Sequence, residues 1–188
     1  MDHAPRPLLQ AIIASAVDAT AAAAGWIATV VDAELAIVAV AAVDPPLLDR
    51  ALWHRTPLDA SAAALVVQSG QPIALTASGT SVIDTWAATL LERPPASIVC
   101  VPCHDDDVAV GALQLVDKIG GGPFSFDDVE IATLLGPIAG AALAEGAGAA
   151  ARIASPTQLG TDLGRLAEAD PARYAAVAQA VAALVGQS

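Results

Sequence analysis

Residues 97–118 hold two apolar runs, SIVCVPC (97–103) and VAVGALQLVDK (108–118), separated by the polar tetrapeptide His104-Asp105-Asp106-Asp107. β-Branched runs on either side of a short polar connection spell a β-hairpin, which commits this part of the chain to an antiparallel sheet. The first run also carries Cys100, Cys103 and His104 in the spacing C-x-x-C-H, the pattern that attaches c-type haem. On a strand, however, successive side chains alternate faces, and positions three apart point opposite ways. Cys100 is therefore expected on the side of Ile98, and Cys103 on the side of Val99 and Val101. That disfavours a shared metal, covalent haem or a disulfide, unless a bulge at Pro102 re-aims one of the two.

The rest of the chain supplies enough apolar residues to enclose such a sheet. Of 188 residues 55% are apolar, which suits one domain with an appendage. The 20 acidic against 8 basic side chains give a formal charge of -12, which would repel phosphate backbones and anionic lipid, so nucleic acid and membranes are not expected as partners. The N-terminal MDHAPRPLLQAIIASAVDA lacks the basic start and continuous apolar stretch of a secretory signal. The longest apolar runs, 35–43 and 131–144, fall short of the roughly 18–20 residues that span a bilayer. A cytoplasmic protein is expected, with two free thiols.

Along the chain, Leu9, Ile12, Ile13 and Ala16 recur at helical spacing behind Pro7, predicting an amphipathic helix over 7–23 that Gly25 ends. GWIATVVD (25–32) and LAIVAVAAV (35–43) predict a first hairpin across a short acidic connection. Paired prolines open a short helical turn in 44–54. Residues 59–70 read as a helix capped by Asp59 and stopped by Gly70, and 72–76 as a brief strand. Val82, Trp86, Leu90 and Leu91 place a helix inside the loop 78–95. After the glycine loop 120–122, Ser125 and Asp128 form a capping-box pattern, and Ile131, Leu134, Leu135, Ile138, Ala142 and Leu143 trace one face of a long helix that Pro137 should bend. Beyond Arg152 the chain becomes more polar, with helix starts at Ser155-Pro156 and Asp170-Pro171 and a narrow apolar face through Tyr174.

The string SIVCVPCHDDDVAVGALQLVDKIGGGPFSFDDVEIATLLGPIAGAAL (97–143) resembles the C-terminal half of a GAF domain. There a strand ending near V-P leads through a polar turn to G-x-L-x-L-x-x-K, a glycine-containing loop, F-S/T-x-x-D and a helix. VVQSGQPIAL (66–75) is similar to the family's V-x-x-S-G-x-P-I turn. The resemblance implies an α+β fold of the PAS/GAF type over residues 7–150. Its six-stranded antiparallel sheet would carry the terminal helices on one face and a ligand pocket on the other; the helical tail over 155–188 lies outside the resemblance. It also implies a sensor or regulatory module for a small molecule, with dimerisation through the terminal helices. Fold does not fix the ligand.

The chemistry of individual residues narrows this. Lys118, Phe124 and Asp128 match part of the N-K…F-x-x-x-D-E signature of cyclic-nucleotide-binding relatives, but Asp117 stands for its asparagine and Val129 for its glutamate. The three residues read more simply as a structural clip, with Lys118 paired to Asp128 and Phe124 packed beneath. Cys103-His104 mimics the bilin-attaching dipeptide but sits at a strand end. Among His3, His54 and His104, only His54 could approach the pocket as a haem ligand, so neither covalent haem nor bilin is expected. Free-methionine-sulfoxide reductases of the family use a cysteine before the V-P strand, and residues 76–96 have none. The His104–Asp107 turn reads as a solvated hairpin end rather than a cation site, because consecutive turn residues diverge.

Trp53, His54, Thr76, Ser81, Asp84 and Trp86 are the candidates to line the pocket, aromatic walls with a few polar groups being what such sites need. Cys100 joins them if its face is the pocket's. The alternative is that the tryptophans fill core. The expected function is a non-catalytic cytoplasmic sensor, homodimeric, signalling through its dimer helices or a protein partner on the tail. The alternatives are a ligand-free assembly module with a collapsed pocket, and a thiol redox enzyme using Cys100 and Cys103.

Overall fold

A computed structural model describes residues 6–59, 61–77 and 84–152, together with 161, 164, 165, 167, 168, 171, 174 and 175. The chain divides into two compact units, Met1–Glu145 and Gly146–Ser188. The predicted tail helix starts at Ser155-Pro156 and Asp170 lie outside the described residues, although Pro171 and Tyr174 are themselves helical.

The first unit runs α1 (Pro7–Thr20), β1 (Ala22–Val31), β2 (Glu34–Ala42), α2 (Pro45–Ala51), β3 (Arg55–Pro57), α3 (Ala62–Ser69), β4 (Ile73–Thr76), α4 (Thr85–Leu91), β5 (Ser97–Asp105), β6 (Val108–Lys118) and the start of α5 (Phe126–Arg152). The strands form one six-stranded antiparallel sheet in the order β3-β2-β1-β6-β5-β4. Each face carries its own apolar cluster. Leu9, Ile12, Ile13 and Ala16 of α1 and Ala132, Ala139 and Leu143 of α5 bury against Ile27, Val99, Val101, Cys103, Leu113 and Leu115. On the other face α2, α3 and α4 cover Ala24, Trp26, Ala28, Ile98, Cys100, Ala112 and Val116. Fully burying a Leu or Ile side chain is worth about 1.5–3 kcal/mol, so the apolar stripe of α1 is enough to hold it on the sheet.

The hairpins follow their predicted lines. Asp32 and Ala33 both take positive φ (52° and 63°), the conformation a two-residue hairpin turn demands. In β5 and β6 the strands extend through His104 and Asp105, leaving Asp106-Asp107 as the turn. Pro102 lies past the last β4 partner, Cys100, so its missing N–H interrupts no β4 hydrogen bond.

Three local expectations are corrected. Gly25 does not end α1: the helix stops at Ala21 (φ 49°), and Gly25 lies inside β1, where an added Cβ would come within 3.0 Å of Ile13 Cδ1 and 2.7 Å of Leu115 Cδ2. Helix α3 is capped by Ser61, whose hydroxyl accepts from Ala64 N at 3.0 Å, rather than by Asp59. In α5 the predicted face is rotated: Leu134 and Ile138 are 67% and 52% exposed, while Ala132, Gly136, Ala139, Gly140 and Leu143 meet the sheet. The glycines decide this, because a Cβ at Gly136 or Gly140 would stand 2.5 Å from Pro102 O or 1.9 Å from His104 O. Helix backbone therefore lies directly on strand backbone. Helix α5 also runs unbroken through Pro137. Its stretch Phe126–Gly146 is long and apolar enough to cross a membrane by length and composition, beyond what the run 131–144 suggested, but one side of it is packed on the sheet.

Candidate functional site

The sheet face beneath α2, α3 and α4 is where a polar arrangement interrupts the apolar packing. Strand register sets Trp26 opposite Gln114, and Gln114 opposite Cys100, in one row across β1, β6 and β5. Above the row, the edge of one indole meets the other, Trp26 and Trp86 having ring centroids 6.1 Å apart at 66°. Trp86 Nε1 donates to His54 Nδ1 at 2.9 Å, which ties α4 to the turn before β3 and fixes His54 as an acceptor at that nitrogen.

Asp84 holds the roof together. It is 4% exposed, and its Oδ1 accepts from Ala87 N at 2.9 Å as N-cap of α4. Its Oδ2 accepts from Ala62 N, the first residue of α3, at 2.9 Å and from Gln114 Nε2 at 3.2 Å. One carboxylate thus joins two helices to the middle of the sheet. These bonds orient the Gln114 amide, and its Oε1 is left without a partner among the described residues, as is Trp26 Nε1. Both residues are 0% exposed. Buried polar groups of this kind are normally satisfied.

Beside this row, over Ala24 and Val116, lies a cavity of about 340 Å³ whose walls include Leu47 of α2 and Leu91 of α4. Arg50 and Arg93 stand at its rim with Asp44 and Asp117. Arg50 reaches from α2 to the end of α4, its Nε donating to Leu90 O at 3.4 Å and its Nη1 lying 3.6 Å from Glu92 Oε2. Arg93 pairs with Asp117 Oδ2 at 2.6 Å, while Asp117 Oδ1 accepts from Ala96 N and Ser97 N.

Of the seven residues predicted to line the pocket, none of the described ones borders this cavity. His54, Asp84, Trp86 and Cys100 come to the roofed face. Trp53 does not: with φ 68° and its N–H on Ile37 O, it packs against the cluster beneath the terminal helices. Thr76 is exposed on the edge strand, out of phase with Ile73 and Leu75, which pack inward. Ser81 lies outside the described residues. Trp26, Gln114, Arg50 and Arg93 did not stand out in the sequence. Gln114 carried a signal, being the one polar residue amid the apolar run of β6 from Gly111 to Val116.

The cysteines take opposite faces, Cys100 with Ile98 under the roof and Cys103 with Val99 and Val101 under α1 and α5. The one bulge in this pairing falls between Cys103 and His104, past both thiols, so it re-aims neither. Burial pushes the Cys103 thiol up to about 12. Burial raises Cys100 well above its ordinary value too, helped by Cys103 and Asp84. Lys118 Nζ donates to Asp128, Ser125 and Asp128 exchange the capping-box bonds, and Phe124 packs at the same face. Burial pushes the Asp128 carboxyl up, but its bonds from Lys118 and Ser125 outweigh that and leave it below the usual range. No group of three or more metal-ligating side chains occurs among the described residues.

A six-stranded antiparallel sheet with terminal helices on one face and three short helices on the other is matched by a family model, the GAF domain, over residues 5–143. The chain belongs to the GAF domain family. Solved structures agree with this GAF fold at low identity. The GAF-B domain of DevS from Mycobacterium smegmatis is 20% identical with TM-score 0.58, covering 79% of this chain and 99% of that one. The GAF domain of a phosphoenolpyruvate-protein phosphotransferase from Coxiella burnetii is 16% identical with TM-score 0.64, covering 78% and 86%. A type II free methionine-R-sulfoxide reductase from Thermoplasma acidophilum is 12% identical with TM-score 0.54, covering 74% and 92%. No curated protein matches the chain significantly.

Proposed function

We propose that this GAF domain is a non-catalytic, cytoplasmic regulatory module that binds a small molecule between its sheet and the α2–α4 layer and passes the bound state on through its terminal helices or a partner held by the tail. The half-open depression between α2, the end of α4 and the sheet carries this reading: at about 340 Å³ it falls in the size range of small-molecule sites, with Leu47 and Leu91 on its walls and charged groups at its rim. Its roof is also coupled to the rest of the fold through Asp84, Arg50 and the Trp86–His54 bond. Occupancy that shifts α2 or α4 would have to break or remake those contacts.

The geometry argues against thiol catalysis, although a reductase shares the fold. A thiol nucleophile must ionise and be reached by its substrate. Cys100 and Cys103 are 0% exposed, are held neutral by burial and face away from each other. For output, Leu8 on α1 and Leu134 and Ile138 on α5 present exposed apolar side chains, a face suited to a second copy of the chain. One observation favours a different reading, an assembly module without ligand: Trp26 and Trp86 already fill much of the roofed face.

A thermal-shift panel of metabolites on the wild type and on Val43→Trp, which fills the cavity from its exposed wall, separates the two. A ligand at a hundredfold excess over its Kd stabilises by about 2.7 kcal/mol, a shift of several degrees. At least one compound should raise the wild-type Tm and fail on the variant. A panel without effect on the wild type, with Val43→Trp equally stable, would leave the assembly module.

A further inference from the structure

We propose that the depression between α2, the end of α4 and the sheet takes a small primary amine, its apolar body on Leu47, Leu91 and Val116 and its ammonium against the carboxylate of Asp44. The proposal rests on the sensor reading above and names the charge of the molecule it would bind. Two observations carry it, both on residues that border the space. One is the apolar surface that Leu47, Leu91 and Val116 offer. The other is the state of the four charged side chains there, Asp44, Arg50, Arg93 and Asp117, of which three are engaged and one is not.

Arg93 is committed to Asp117, its Nη2 lying 2.6 Å from Oδ2, while Asp117 Oδ1 accepts from Ala96 N and Ser97 N. Arg50 donates from Nε to Leu90 O at 3.4 Å, and its Nη1 lies 3.6 Å from Glu92 Oε2. Each arginine is therefore matched by an acid. Asp44 is not matched. It stands at the N-cap of α2 but its side chain accepts no bond from that helix, which opens on Pro45. Among the described residues no cation pairs with it. Once the two pairs cancel, Asp44 leaves the rim with one negative charge. Leu47 N donates to Asp44 O at 3.2 Å, so the open carboxylate and the apolar wall lie within one turn of chain.

The chemistry of the ligand's charged end follows. An ionised carboxylate only accepts hydrogen bonds, and an ammonium only donates them, through three N–H groups. A carboxylate ligand would have to displace Asp117 from Arg93 or Glu92 from Arg50, and would then stand beside Asp44. The whole chain favours the same sign, since a formal charge of -12 draws cations to its surface and repels anions. Asp44 is exposed, so the ion pair stays hydrated and contributes modestly, while burial of the apolar body supplies most of the affinity. The amine end selects among molecules that share that body.

The test uses phenethylamine, 2-phenylethanol and 3-phenylpropionate, one ring and linker with three different ends, on the full chain. Affinity is read by calorimetric titration, and location by the backbone amide resonances of Val43, Leu47 and Leu91. The amine should bind about threefold more tightly than the alcohol in low salt, the carboxylate should bind most weakly, and the preference should shrink as salt rises. Asp44→Asn should bring amine and alcohol to equal affinity. Its Tm without ligand should match the wild type, because that side chain holds nothing in the fold. Equal or tighter binding of the alcohol or the carboxylate, with the same amides shifted, overturns the amine class and leaves the depression as a ligand site. An amine preference that survives Asp44→Asn overturns the assignment to Asp44. Binding that leaves all three amides unmoved overturns the location. Absence of any binding by the amine overturns the class, and the Val43→Trp comparison then decides the sensor reading separately.

Discussion

Asp84 Oδ2 accepts the backbone N–H of Ala62 at 2.9 Å across 22 residues of sequence, while Asp84 Oδ1 caps its own helix through Ala87. The first turns of α3 and α4 thereby share one buried carboxylate, and the third bond, from Gln114, anchors both to β6. The position of this part of the roof over the sheet is set by one side chain.

Replacing Asp84 by Ala leaves Ala62 N, Ala87 N and Gln114 Nε2 without their acceptor. A lost cap costs about 1 kcal/mol and each of the two other hydrogen bonds to the carboxylate about 1.5–3, so urea denaturation should show a loss of roughly 4 kcal/mol or more. Asp84→Asn keeps one carbonyl oxygen and should lose less. Equal stability of Asp84→Ala and wild type would contradict this placement of the roof.

The thiols make stability fall at high pH. Both are raised in the folded state, so the unfolded chain releases its protons first. Their contribution is intact below the ordinary thiol range near 9, and is lost as pH rises from there towards about 12 for Cys103. The slope approaches about 1.4 kcal/mol per pH unit for each thiol in that window. A Cys100→Ser, Cys103→Ala variant should flatten it. Below pH 8 neither thiol of the native protein should react with Ellman's reagent until denaturant is added, and fast labelling of either would show that the burial is wrong.

Gly140→Ala should destabilise, against the usual gain of about 1 kcal/mol for this change inside a helix. The new Cβ would meet His104 O at 1.9 Å, and strand backbone cannot give way cheaply. We expect a loss above about 2 kcal/mol in thermal or chemical unfolding. A more stable Gly140→Ala would mean that α5 does not rest on β5.

How much of this is legible in the sequence depends on what sets each feature. Alternation within SIVCVPC is enough to place Cys100 and Cys103 on opposite faces, because strand periodicity is a backbone property. The Lys118–Asp128 contact is legible too, as a capping box with a cation near it. Gly25, by contrast, reads as a stop from its neighbours in sequence and is instead required by Ile13, which arrives from another element. The same holds for α5, where Leu134 and Ile138 look like core but Gly136 and Gly140 decide which side can approach the sheet. Trp53 misses its expected place for a local reason: it takes a positive φ and packs against the cluster on the far face. Strand β3 is three residues long and includes Pro57, too short for any periodicity.

If the terminal helices form the dimer we propose, Leu134→Glu with Ile138→Lys should convert it to monomer, since both side chains are more than half exposed in the single chain and sit one turn apart on α5. Light scattering behind size exclusion reads this directly. Monomeric wild type at micromolar concentration, or a dimer indifferent to the pair of substitutions, would place the output elsewhere.

The proposed sensor function requires that the space over Ala24 and Val116 be a binding site. The most direct measurement is a crystal structure of the protein grown with the compound that raises its Tm most. Density for that compound should lie on Ala24 and Val116, against Leu47 and Leu91, and the stabilisation should vanish in Val43→Trp. Density at any other place, with the roofed face unchanged, would contradict the central claim.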